Sequence, residues 1–333
     1  MAKQLLILLA IAAAIGVGYF LINYDVQRRT ENGRPGAWAI VPRGGSSGGS
    51  SSLDRPTGPI QPTFRIATFQ LGRLDEAKLA NRRVNDVLTH LLPRFDLIAL
   101  QGVRGKNRGV LIRLVEQLNA ASGRAYDFAT CPTQQRDALE HYSAFVFDRK
   151  RINVDLTTVR FIEDRLGRFR VKPLMGLFQT REPDPAEAFT FVLIAVENDP
   201  DHAPAELDLL ADAFRAVRDG DWRGDARRED DIILLGDLET DDRHLGQLGR
   251  LLGVAPLLSD VPTTARGANL LDNILLDRRA TCEFTGRVEV VDMMREFDLT
   301  MPGTQEISEH LPVWAEFSVY EGGQAGHPMP VRP

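Results

Sequence analysis

The sequence predicts an α/β fold, a layered sandwich of two packed mixed β-sheets flanked by helices. Three observations lead there. The folded part opens as strand, helix, strand, helix; its middle is a run of strands with no long helix between them; and the strand-like runs are too many for a single doubly wound sheet.

The elements follow from hydrophobic period and turn residues. FRIATF at 64–69 is β-rich, and the stretch Glu76–Leu92 has the apolar spacing of an amphipathic helix. FDLIAL at 95–100 is a second buried strand, and Val110–Ala120 a second helix. YSAFVF at 142–147, RINVDLTTVRF at 151–161, PLMGLFQT at 173–180 and FTFVLIAV at 189–196 then read as strands, which predicts antiparallel pairing. A helix near Ala205–Val217 leads to DIILLGD at 231–237. A helix near His244–Leu252 follows, then the strand LLDNILL, a strand over 281–291, and the last strand PVWAEFSVY.

At 333 residues, 43% hydrophobic and 26% charged, the composition excludes a disordered or fibrous chain. A formal net charge of −6 excludes a whole-chain basic field, so a polyanion would have to meet a local arginine patch. The two cysteines, Cys131 and Cys282, stand outside any metal-binding spacing, which argues against structural zinc.

From Leu5 to Ile22 the chain is apolar without a break, about the shortest length that spans a bilayer as a helix. A cleaved signal peptide is the competing reading, but IGVGYFLI continues past the small residues that would mark a cleavage site. The expectation is a single-pass N-terminal anchor over 1–29 and a membrane location. Lys3 on one side and Arg28, Arg29, Arg34 and Arg43 on the other leave the orientation open. Residues 30–62, with GGSSGGSSS, read as a flexible linker, 63–320 as one domain, and 321–333 as a loose tail.

Polar residues that interrupt the ends of buried strands are the candidates for chemistry. They are Gln70, Gln101–Gly102, Glu197, Asp237 with Glu239, Asp272–Asn273, and Glu309–His310. Arg104, Lys106 and Arg108 read as a solvated loop or a basic rim, and His141 and His244 as surface residues.

The ordered set IATFQ, DLIALQGVR, EHYSAFVFDR, FVLIAVENDP, ILLGDLETD, LDNILLD and SEHLPVWAEFS resembles the endonuclease/exonuclease/phosphatase superfamily over essentially all of 64–318. The resemblance implies a metal-dependent phosphoesterase or nuclease fold. It also implies where this chain departs from the pattern. Gln70 stands where the family has an asparagine, and Gly102 where it has the glutamate that holds a catalytic magnesium. Glu197 replaces a histidine, Glu239 an asparagine and Glu309 an aspartate.

Kept are Asp237, implied to orient or activate water, His310, implied to donate to the transition state, and Asp272. Glu140 and Tyr142 match a Glu-x-Tyr pattern, and Thr264 a threonine before the last strands. Glycine offers no ligand atom, and each carboxylate put in place of a donor repels phosphate. The expectation is reduced or absent hydrolysis with a binding or scaffolding role kept. The alternative is an active enzyme with a rebuilt centre, in which Glu197, Asp237, Glu239 and Glu309 hold magnesium or manganese. The ligand would be a nucleic acid, a lipid head group or a small phosphate ester.

Overall fold

The computed structural model describes residues 24–31, 34–42, 62–105, 108–131, 140–220, 222 and 228–323, the first two segments and residue 140 by backbone alone. Strands in chain order are β1 (Tyr24–Glu31), β2 (Arg34–Pro42), β3 (Thr63–Leu74), β4 (Leu97–Gly105), β5 (Tyr126–Ala129), β6 (Glu140–Asp148) and β7 (Ile152–Phe161). They continue as β8 (Leu174–Thr180), β9 (Thr190–Glu197), β10 (Ile232–Asp237), β11 (Val254–Pro256), β12 (Asp272–Asp277), β13 (Phe284–Val290) and β14 (Val313–Ser318). Helices are α1 (Glu76–Ala80), α2 (Arg82–Leu91), α3 (Gly109–Ser122), α4 (Ala203–Asp219), α5 (Met293–Glu296) and α6 (Met301–Ile307).

Residues 1–59 and 60–333 are separate compact units. In the first, β1 and β2 pair antiparallel. Composition predicts coil over 34–42 as part of the linker, and the ladder there is a correction: AWAIV supplies β-branched and aromatic residues that favour an extended pair. The apolar stretch 5–22 lies outside the described residues. Among the described residues no helix is long and apolar enough to cross a membrane.

The second unit is the layered sandwich. One six-stranded sheet runs β13-β14-β3-β4-β6-β5 and the other β11-β12-β10-β9-β8-β7. β3/β4 and β9/β10 are parallel and the remaining pairs antiparallel, so both sheets are mixed. Alternation sorts the side chains into layers. Phe64 and Ile66 of β3, Leu193 and Ala195 of β9, and Ile233 and Leu235 of β10 fill the space between the sheets. The intervening residues face outward: Ala67 and Phe69 against α2 and α3, and Val192, Ile194, Ile232 and Leu234 against α4. Strands covered on both faces read as continuous apolar runs for this reason. Phe64 and Phe317 meet Phe189 and Phe191 across the sheets, with centroids 5.6 Å apart for Phe64–Phe191, which locks the end of the sandwich where β3 and β9 begin.

Two helix expectations are corrected. Glu76–Leu92 is broken at Asn81, whose extended backbone ends α1 and whose side chain accepts from Arg83 and Val84 N–H to cap α2. His244–Leu252 is a turn with a single 3-10 turn, Leu248–Arg250, because Gly246 and Gly249 interrupt the pattern.

Candidate functional site: a cleft at the strand ends

The parallel pairs β3/β4 and β9/β10 end on the same side of the sandwich, where ligands meet open α/β sheets. An open cleft of about 240 Å³ lies there, lined by Gln70 from β3, Lys78 from α1, Glu197 from β9, Asp237 from β10, Asn198 and Glu239 just beyond the strands, and Ser308, Glu309 and His310 after α6. Gly236 sets Asp237 in place. At φ +144° it passes the Val196 carbonyl so closely that a Cβ would lie 2.0 Å from that oxygen, and only glycine fits.

Asp237, Asp272 and His310 come together as a buried group whose ligand-type atoms all lie within 4.8 Å. His310 Nδ1 is 2.8 Å from Asp272 Oδ2, and Nε2 is 3.8 Å from Asp237 Oδ2. Thr263 Oγ1 donates to the same Asp272 oxygen at 2.9 Å. Ser308 fixes the approach: its hydroxyl donates to the Gln70 carbonyl at 2.6 Å and accepts from His310 N–H at 2.9 Å. Burial works against charge on His310, but Asp272, and then Asp237 and Glu239, outweigh it and raise the imidazole to about 9. Burial, then the Asp272 charge, pushes the Asp237 carboxyl well above its usual range, and burial raises Glu239. His310 therefore holds a proton at neutral pH and can donate to an oxyanion or leaving oxygen.

A cation of the kind the family uses needs a ligand at the end of β4, and the residues there do not fit one. Gly102 has φ +74°, and a Cβ on it would lie 2.4 Å from Gln70 Oε1 and 2.9 Å from the backbone N and O of Gly72. Its N–H donates to Glu197 Oε2 at 3.1 Å, while Glu197 Oε1 is 2.7 Å from His141 Nε2. Both oxygens of Glu197 are engaged. Glu239 is half-buried with φ +51°, and Glu309 is exposed and accepts from Gln305 at 3.3 Å. Among the described residues, neither they nor Glu197 join a group of cation-holding geometry with Asp237. The group that does is Asp237, Asp272 and His310, whose imidazole carries its proton up to about 9.

Other sequence candidates fall in different places. Gln70 lines the cleft, with its amide oxygen accepting from Gly72 N–H at 2.8 Å. Gln101 turns into the interior and bonds Thr68. Tyr142 packs in the core beneath the helices, and the Glu140 side chain lies outside the described residues. Thr264 caps its own turn, accepting from Ala268 and Asn269 N–H. Its neighbour Thr263 touches Asp272, because a one-residue step along an extended chain reverses the side chain's face.

Three participants were not singled out by sequence. Thr263 is one. Lys78 lines the cleft, donates from Nζ to the Leu71 carbonyl, and is lowered by burial to about 8. His141, expected at the surface, is the partner of Glu197. Lys78, seven residues past Leu71, belongs to no motif, and the His141 contact is with a residue far along the chain.

No family model matches the sequence. Deoxyribonuclease-1-like 1 of Sus scrofa is 28% identical over 267 residues, covering 77% of this chain and 81% of that protein. Deoxyribonuclease-1-like 2 of Homo sapiens is 26% identical over 277 residues, covering 75% and 90%. Among solved structures, humanized D. rerio TDP2 with 14 mutations aligns with a TM-score of 0.51 at 15% identity, covering 77% of this chain and 98% of that one. That likeness is one of fold.

Proposed function

Because the chain belongs to the endonuclease/exonuclease/phosphatase superfamily and has its deoxyribonuclease-type fold, we propose that the cleft binds phosphodiesters of nucleic acid, with metal-dependent hydrolysis reduced or absent. The observation that carries this is Gly102: the position from which the family holds its magnesium has no ligand atom, and Gln70 and the Gly72 backbone leave no room for one. Losing a single preorganised electrostatic partner raises a barrier by about 3–4 kcal/mol. Binding draws on other groups. His310 and Lys78 supply positive charge at a cleft where burial raises the Asp237 and Glu239 carboxyls and so weakens their repulsion of phosphate. The deoxyribonuclease names of the relatives favour nucleic acid over a lipid head group. The N-terminal anchor remains part of the proposal and rests on the apolar run 5–22 alone.

A second reading is favoured by the intact Asp272–His310 pair beside Asp237. In it the protein is an active phosphodiesterase, nuclease or phosphatase, with Asp237 as base or water-orienter, His310 as transition-state donor, and magnesium or manganese held by glutamates of the cleft. The two part in one experiment on the full chain. Plasmid nicking is measured with magnesium, manganese or EDTA, beside anisotropy of a fluorescent oligonucleotide. Binding without metal-dependent nicking is the expected result. Nicking that needs metal and disappears in Asp237→Asn would replace the first reading by the second.

A further inference from the structure

The end of the sandwich opposite the cleft carries a second acidic group. Asp231 precedes β10, Glu283 precedes β13 and Glu321 follows β14. The strand β10 sets Asp231 about 20 Å from Asp237. One ligand oxygen from each of the three lies within 4.8 Å of the others. Asp231 and Glu283 are each 2% exposed, and Asp231 Oδ1 and Glu283 Oε2 have no hydrogen-bond partner among the described residues.

The carboxylates are held in place from outside the group. Glu283 Oε1 accepts from Gly322 N–H at 2.7 Å, and Glu321 Oε2 from Thr190 N–H at 3.2 Å. The charges acting most strongly on Asp231 are those of Glu283, Glu229 and Glu321, all acidic. Buried carboxylates this close repel one another unless protons or a cation sit among them. Two buried oxygens without partners among the described residues, beside a third carboxylate, stand as a cation's ligands would.

We propose that Asp231, Glu283 and Glu321 bind one divalent cation of the calcium class, which ties the start of β10, the start of β13 and the turn after β14 into a single joint. The ligand set is all oxygen, which excludes soft metals. Among hard ones, magnesium keeps several waters and is held by one or two carboxylates, whereas calcium takes more protein oxygens, so three gathered carboxylates suit calcium.

The test uses the full chain, stripped with EDTA and titrated with calcium chloride by calorimetry and by thermal melting. One equivalent should bind saturably, and Tm should rise by about 5 °C at a hundred times the dissociation constant. Asp231→Asn and Glu283→Gln should lose both effects, while Glu239→Gln in the cleft keeps them. Should either buried variant fail to fold, Glu321→Gln takes its place. Absence of saturable binding up to millimolar calcium would overturn the proposal, since protons then hold the group together. So would binding lost in Glu239→Gln but kept in Glu283→Gln, which would put the ion in the cleft, or magnesium binding tighter than calcium.

Discussion

The two walls of the cleft are built by the same device, a pair of parallel strands ending side by side, yet they carry different chemistry. On the β9/β10 wall, with the start of β12 and the chain after α6, Asp237, Asp272 and His310 stand within reach of one another. On the β3/β4 wall, Gln101 faces inward, Gln70 bonds its own turn, and Gly102 offers only an N–H. One wall gathers titratable side chains and the other is closed by backbone and amide contacts. The difference teaches that two strand ends of the same kind can take different chemistry, because the His310 side chain, from the loop before β14, completes only one of them.

The comparison can be broken by substitution, and the largest effect is expected on the proton-handling wall. Asp272→Ala removes the partner of a buried imidazolium and of Thr263, and should cost about 3–5 kcal/mol in urea unfolding at neutral pH. A cost near zero would mean that the His310–Asp272 pair does not organise that wall.

The pH dependence comes next. An ordinary histidine titrates near 6.5, and His310 is raised to about 9 in the folded protein. A raised group favours the folded state fully below its unfolded value, and that stabilisation fades as pH rises through about 9. It amounts to about 3 kcal/mol. Unfolding at about pH 6 and about pH 10 should show the loss in the wild type and little of it in His310→Gln. Parallel curves would assign the loss to another group.

The smallest effect is expected on the other wall. Gly102→Ala forces a side chain into a left-handed backbone against Gly72, costing about 2 kcal/mol. A neutral result would show that the end of β3 gives way and that this wall can be rebuilt around a ligand.

Much of the fold was legible before the structure, because buried parallel strands write themselves as runs such as VLIAV and IILL. What escaped was local or distant. Asn81 hid a helix break inside an unbroken apolar pattern, since an N-cap and a mid-helix asparagine look alike in sequence. The family pattern points to Thr264, yet Thr263 meets Asp272, because register decides which of two adjacent threonines faces that carboxylate. Asp237, Asp272 and His310 were readable as strand-end polar residues, but the pairing of Glu197 with Gly102 and His141 joins separate sheets and distant segments, and no spacing announces it.

That cross-sheet pairing has a consequence for redesign of the cleft. A glutamate placed at position 102 alone would set a carboxylate against Gln70 and Gly72 and beside Glu197, which accepts from the N–H of that same residue. Residues 70, 102 and 197 would have to be exchanged together. The Gly102–Glu197 bond thus makes three positions from separate strands a single unit for engineering.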